Sequence, residues 1–288
     1  MPAVLPKLTE RPVNTATLSF LASAAGEHLS RYVDTVMDAL VGALAENDCA
    51  PSIISDCSIL IQGVDDEYGA SLILSEILES SKSHDAKTRY AAASLIFTFV
   101  EKTPADFLEY YGVLFRELLR LMSEPEGSEI LPLAWNSLQL VVKKMDNVEL
   151  QSHLSSLRQA ISFVRKEVDS AGHLPGFGLA KKGINCIVPI FKEGLLSGSV
   201  DHKEQTAQCL QEVIEMTDPA ALKPSVIGLA GPLIRVLGDR YGPQVKCPLL
   251  STLELLLTRA GPALKAFLPQ LQTTFLKVIF EHLSSYTS

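Results

Sequence analysis

Aromatic side chains are scarce here: they make up 7% of the 288 residues, and tryptophan occurs once. Strand-rich folds lean on aromatic and β-branched residues, so this scarcity argues against one. No Asn-Gly or Asp-Gly pair joins two alternating runs, and the plainest hairpin signal is therefore missing. The five cysteines (Cys49, Cys57, Cys186, Cys209, Cys247) stand far apart and form no CxxC pair. That spacing suits neither a disulfide framework nor a zinc site, and buried free thiols in a reducing compartment are expected. The first residues, MPAVLPKLTERP, lack the apolar core of a signal peptide. Apolar runs fall short of the ~18 residues a membrane span needs. The chain is read as cytoplasmic, with no membrane partner.

The residues of catalysis are equally thin. The six histidines (His28, His84, His153, His173, His202, His282) form no HExxH and no i, i+4 pair. No GxSxG elbow occurs, and no cysteine carries a suggestive histidine motif. Asp65, Asp66 and Glu67 are the densest acidic cluster, but they sit where a helix begins, and anions there complement the helix dipole. Neither an enzyme, nor a cofactor, nor a metal is expected.

What the chain does have is leucine, alanine and helical spacing, with 47% hydrophobic and 20% charged residues. Apolar residues recur at three- and four-residue steps for most of the length. Over 107–121, Phe107, Leu108, Tyr111, Leu114, Phe115, Leu118, Leu119 and Leu121 form a broad stripe, with Glu109, Arg116, Glu117 and Arg120 expected on the other side. Trp135, in another leucine-rich segment, is expected in the core. Breaks come every 15–20 residues: Gly26, Asn47-Asp48, Asp65-Asp66, Thr103-Pro104, Glu124-Pro125, Asp218-Pro219, Gly238-Asp239 and Gly261-Pro262. Proline is acceptable in a first helical turn, so each break reads as a stop followed by a start.

Setting Arg89, Lys203 and Lys246 in register exposes a repeat. Fourteen residues later stand Thr103, Thr217 and Ala260, each followed within two residues by a proline, and then by a second leucine-rich helix. Lys203 and Lys246 are 43 residues apart. A period near 40 with two helices per unit is the HEAT/armadillo pattern. The expected fold is all-α: an α-solenoid of about six or seven helix pairs, starting near residues 13, 50, 84, 127, 182, 200 and 242.

Charge divides the chain. Residues 1–150 carry 11 Lys/Arg against 22 Asp/Glu, while 151–288 carry 14 against 11. We therefore expect an acidic repeat region over 1–164, an irregular loop over 165–183, and a mildly basic repeat region over 184–288. The loop, RKEVDSAGHLPGFGLAKKG, holds four glycines and four basic residues. It bears a faint likeness to a phosphate-cradling loop, but its lysines precede the last glycine and no Ser/Thr follows. Two readings stay open: an inter-repeat turn whose Phe177 plugs into the core, or a partner-docking loop using Phe177, Lys181 and Lys182. Lys203, Arg235, Arg240 and Lys246 complete the candidate partner-binding set, since equivalent turns of a stacked solenoid line up along one edge. Aligned cations suit RNA phosphates, which give affinity without sequence readout. The opposing reading is solvated helix ends.

Specific strings go further. GHLPGFGLAKKGINCIVPIFKEGLLSGS (172–199), LKPSVIGLAGPLIRVLGDRY (222–241) and ALKAFLPQLQTTFLK (263–277), and more loosely 5–46, resemble the eIF-2-alpha kinase activator family, large HEAT-repeat proteins of general translational control. The resemblance runs to about residue 277 and fits a piece from the C-terminal third of such a protein. It implies a non-catalytic scaffold in the amino-acid starvation response. It also implies three partners: the ribosome, the RWD domain of the eIF-2-alpha kinase, and an ATP-binding-cassette protein. The family's kinase-docking segment lies near or beyond residue 277. Sequence-specific DNA binding is not implied. Periodicity alone would also fit a nuclear-transport or phosphatase adaptor, or the HEAT region of an elongation-factor-3-like ATPase.

Overall fold

The computed structural model describes residues 4–166 and 172–285, and among these every regular element is a helix or a helical turn. The chain folds as two compact units, Met1–Leu140 and Val141–Ser288.

The first unit runs α1 (Leu5–Leu8), α2 (Thr15–Ser23), α3 (Val33–Glu46), α4 (Pro51–Gly63), α5 (Glu67–Ser80), α6 (Ala86–Lys102) and α7 (Tyr111–Leu121). The division between the units falls inside α8 (Ile130–Lys144). First helices stack on first helices, α2 on α4 and α4 on α6. Second helices do the same, α3 on α5. Starts are specified locally: Asn14, Asp66 and Asp85 each accept a hydrogen bond from the backbone N–H three residues on, and Pro51 opens α4. Asp66 is thus the expected cap of α5. Leu40, Leu44, Leu60, Ile73, Leu74, Ile77 and Phe99 fill the space between layers and are essentially inaccessible. Trp135 is buried as expected.

The stripe over 107–121 divides into a 3₁₀ turn at Leu108–Tyr110 and the helix α7. Glu117 does not face solvent. It is buried, and its Oε1 accepts from Arg120 at 2.5 and 2.8 Å and from the Ser81 hydroxyl at 2.5 Å. Burial of a carboxylate is tolerable only when paired and hydrogen-bonded in this way.

The second unit runs α9 (Asn147–Ser152), α10 (Leu154–Arg165), α11 (Val188–Leu196), α12 (Val200–Glu215), α13 (Pro219–Leu237), α14 (Pro243–Ala260) and α15 (Leu268–Ser285). Again the layers repeat: α12 packs on α10 and α14, and α13 on α11 and α15. The expected pair at 182 has no first helix. Residues 179–187 pass through successive turns, and α11 packs against α9, α12 and α13 instead. The two glycines and proline at 175–178 and the left-handed backbone at Lys181 and Gly183 stop a helix from forming there.

Two further corrections concern composition. Over its 19 residues α13 has the length and apolar character of a membrane span. Lys223 breaks its apolar run, which hid the length in the sequence. Ala221, Leu222, Val226, Leu229, Ala230, Leu233 and Ile234 are buried against neighbouring elements, as befits a core helix. Of the cysteines, Cys49, Cys57, Cys186 and Cys209 are buried and free as expected, but Cys247 is exposed.

Candidate functional site

The glycine-bearing segment is tied to the rest of its unit at four points. The Leu174 N–H donates to the Met216 carbonyl at 2.8 Å. Pro175–Gly178 forms a 3₁₀ turn that drives Phe177 into the core, fully inaccessible. Gly183 has φ +47° and lies so close to α13 that an added Cβ would collide with the Ala221 carbonyl oxygen. The Ser225 hydroxyl donates to Asn185 Oδ1 at 2.9 Å. Phe177 therefore anchors the turn and offers nothing to a partner. Residues 167–171 of the expected loop lie outside the described residues.

Lys181 projects from this turn, exposed, with φ +63°. A non-glycine residue in left-handed conformation is uncommon and costs of order 1–3 kcal/mol. Lys182 beside it is half-buried, and burial holds its ammonium below the ordinary lysine pKa.

Lys203 is also a correction. It is buried, 3% exposed, and its Nζ donates to the Gly198 carbonyl at 2.5 Å and the Leu196 carbonyl at 3.3 Å. It lies 5.7 Å from the centre of the Tyr241 ring. Desolvation lowers its pKa, with Asp239 and Glu193 acting the other way. Its work is to satisfy carbonyls left open where α11 ends. Arg89, its counterpart by register, does the same for Ser83 and His84 at 3.0 and 2.8 Å while pairing with Glu124.

The remaining candidates do not line one edge. Arg235, in the last turn of α13, and Arg240, just beyond it, are exposed, and Lys246 is half-buried in the first turn of α14. Lys181 stands at the other end of α13, a helix whose 19 residues span about 28 Å. Two cations went unnoticed in the sequence. Lys223 lies in the first turns of α13, and Lys265 lies in the 3₁₀ turn Gly261–Phe267 that leads into α15; both are exposed. The signal was present: Leu179-Ala180-Lys181, Ala221-Leu222-Lys223 and Ala263-Leu264-Lys265 recur at intervals of 42 residues.

Among the described residues no group of three or more His, Cys, Asp or Glu is placed to hold a metal ion. One surface cleft, of about 510 Å³, is lined by Ser155, Arg158, Gln159, Ser162, Phe163, Lys166 and Gln205.

Comparison with known proteins agrees with the resemblance noted in the sequence. Residues 1–181 match a family model described as "Stalled ribosome sensor GCN1-like, HEAT repeats". The human protein named "Stalled ribosome sensor GCN1" is 39% identical over 282 residues, covering 97% of this chain and 10% of the human protein. "Protein ILITYHIA" of Arabidopsis thaliana is 34% identical over 97% of this chain and 11% of its own length. The "eIF-2-alpha kinase activator GCN1" of Saccharomyces cerevisiae is 29% identical over 96% of this chain and 10% of its own length. The chain thus spans about a tenth of the length of these relatives.

Proposed function

The chain belongs to the GCN1-like HEAT-repeat family, and from that membership we propose that it acts as a non-catalytic scaffold in translational control, in contact with the ribosome. The observation that carries this reading is the similarity along 96–97% of the chain to relatives named for stalled-ribosome sensing and eIF-2-alpha kinase activation. Layers of rigid helix pairs suit such work, because they hold separate contact points at fixed intervals. The kinase's RWD domain and an ATP-binding-cassette protein are further partners under this proposal, and the cytoplasm is its place of action.

Co-sedimentation with purified ribosomes through a sucrose cushion tests it. The chain is expected in the ribosomal pellet at low salt and in the supernatant at high salt. A chain that stays in the supernatant at every salt concentration would refute ribosome contact.

A further inference from the structure

The three lysines spaced by 42 residues occupy consecutive layers of the second unit. Lys181 precedes α11, Lys223 is the fifth residue of α13 and Lys265 precedes α15, and these three helices pack in that order. Packed helices lie about 8–10 Å apart, which sets the order of separation between successive layers of this edge. All three side chains are exposed, and none takes part in a hydrogen bond or ion pair among the described residues.

The surroundings favour an anion. Across 172–187, 216–224 and 261–268 the sequence contains one acidic residue, Asp218. Its carboxylate already accepts from the N–H groups of Ala220 and Ala221, capping α13. Along these described segments Lys181, Lys182, Lys223 and Lys265 outnumber the single carboxylate of Asp218, in a protein whose net charge is -8. Lys181 is moreover held at φ +63°, a left-handed conformation uncommon for a side-chain-bearing residue.

We propose that Lys181, Lys223 and Lys265 form a three-rung ladder that binds the phosphate backbone of RNA without reading its sequence. Lysine suits this role as a point charge needing no fixed fork geometry. No exposed aromatic ring lies along these segments to stack on bases: Phe177 is buried and Phe267 half-buried. Contact is thus confined to phosphates. The inference rests on the reading that the chain meets ribosomes, and it names the chemistry of that contact.

The test is fluorescence anisotropy of the 288-residue chain with a labelled 20-nucleotide oligouridine RNA. Three phosphate contacts give a salt exponent of about -2, so affinity should fall on the order of 20-fold between 50 and 200 mM salt. Joint reversal, Lys181→Glu, Lys223→Glu and Lys265→Glu, should weaken binding at least tenfold at 50 mM and flatten the salt dependence. Joint replacement by arginine should keep the binding. Arg235→Glu with Arg240→Glu, at the far end of α13, should cost less than threefold, and circular dichroism should show all variants folded.

The ladder is overturned by any of three results: no RNA binding by the wild type, undiminished binding by the triple reversal, or equal loss from the Arg235/Arg240 pair. Binding of poly-glutamate but not RNA would assign the edge to an acidic protein and also overturn it. Pelleting of the wild type with ribosomes, measured in parallel, separates the outcomes. Pelleting with an ineffective triple reversal sinks the ladder alone, whereas failure to pellet sinks the ribosome reading.

Discussion

Individual residues show how burial sets chemistry in this chain. Desolvation raises the thiols of Cys57 and Cys209 to about 12, and that of Cys186 is raised for the same reason. A thiol in the unfolded chain loses its proton near 9.0. Above that pH the unfolded state is favoured by ionisation while the folded thiols stay neutral. The stabilisation is therefore complete below about pH 9 and is lost as pH rises towards 12, a window that urea midpoints measured across alkaline pH will show. Cys247 is exposed, and native labelling with iodoacetamide should modify it well before the four buried thiols. Gly183→Ala places a Cβ against the Ala221 carbonyl at a positive φ and should destabilise the fold by about 2 kcal/mol or more in chemical denaturation. Lys181→Gly should do the opposite, raising stability by about 1 kcal/mol by relieving the left-handed conformation.

At the scale of the element, the helices and their breaks were legible and several side-chain roles were not. Local rules place the former: Asn14, Asp66, Asp85 and Asp218 cap helices through bonds to residues two or three positions on, and a proline begins α4, α13 and α14. Glu117 and Lys203 depend on what other segments bring. Glu117 is buried because Ser81, 36 residues earlier, supplies a hydroxyl. Lys203 is buried because α11 ends with its carbonyls at hand. Nothing in a charged residue's own neighbourhood announces such partners, so both read as surface. Phe177 was legible as one of two alternatives, and its full burial in the core decides between them. Truncation tests these roles. Glu117→Ala should cost about 3 kcal/mol, since it leaves Arg120 without its counter-ion. Lys203→Met should cost about 1–3 kcal/mol by leaving the Leu196 and Gly198 carbonyls without their donor, yet leave RNA binding unchanged. Thermal melts and anisotropy read the two effects separately.

For the whole molecule, charge is partitioned along the chain, and RNA contact should follow the partition. Photo-crosslinking to RNA with peptide mapping is expected to yield adducts within 151–288, centred on Lys181, Lys223 and Lys265. Adducts concentrated in 1–150, where 22 acidic residues outnumber 11 basic ones, would contradict the assignment. The carbonyl clamps have a direction as well. Arg120 donates to the Ser81 carbonyl, and Lys277 to that of Gly238, each reaching back 39 residues. Arg259 reaches back from α14 to the carbonyls of Ile214, Glu215 and Thr217 at the end of α12. In these cases the donor comes from the later layer. A nascent chain emerging N-terminus first therefore exposes each helix end before its donor has been synthesised. The end of α13 must wait for 39 more residues to leave the exit tunnel, so a pause in elongation before Lys277 emerges leaves the Gly238 carbonyl without this donor.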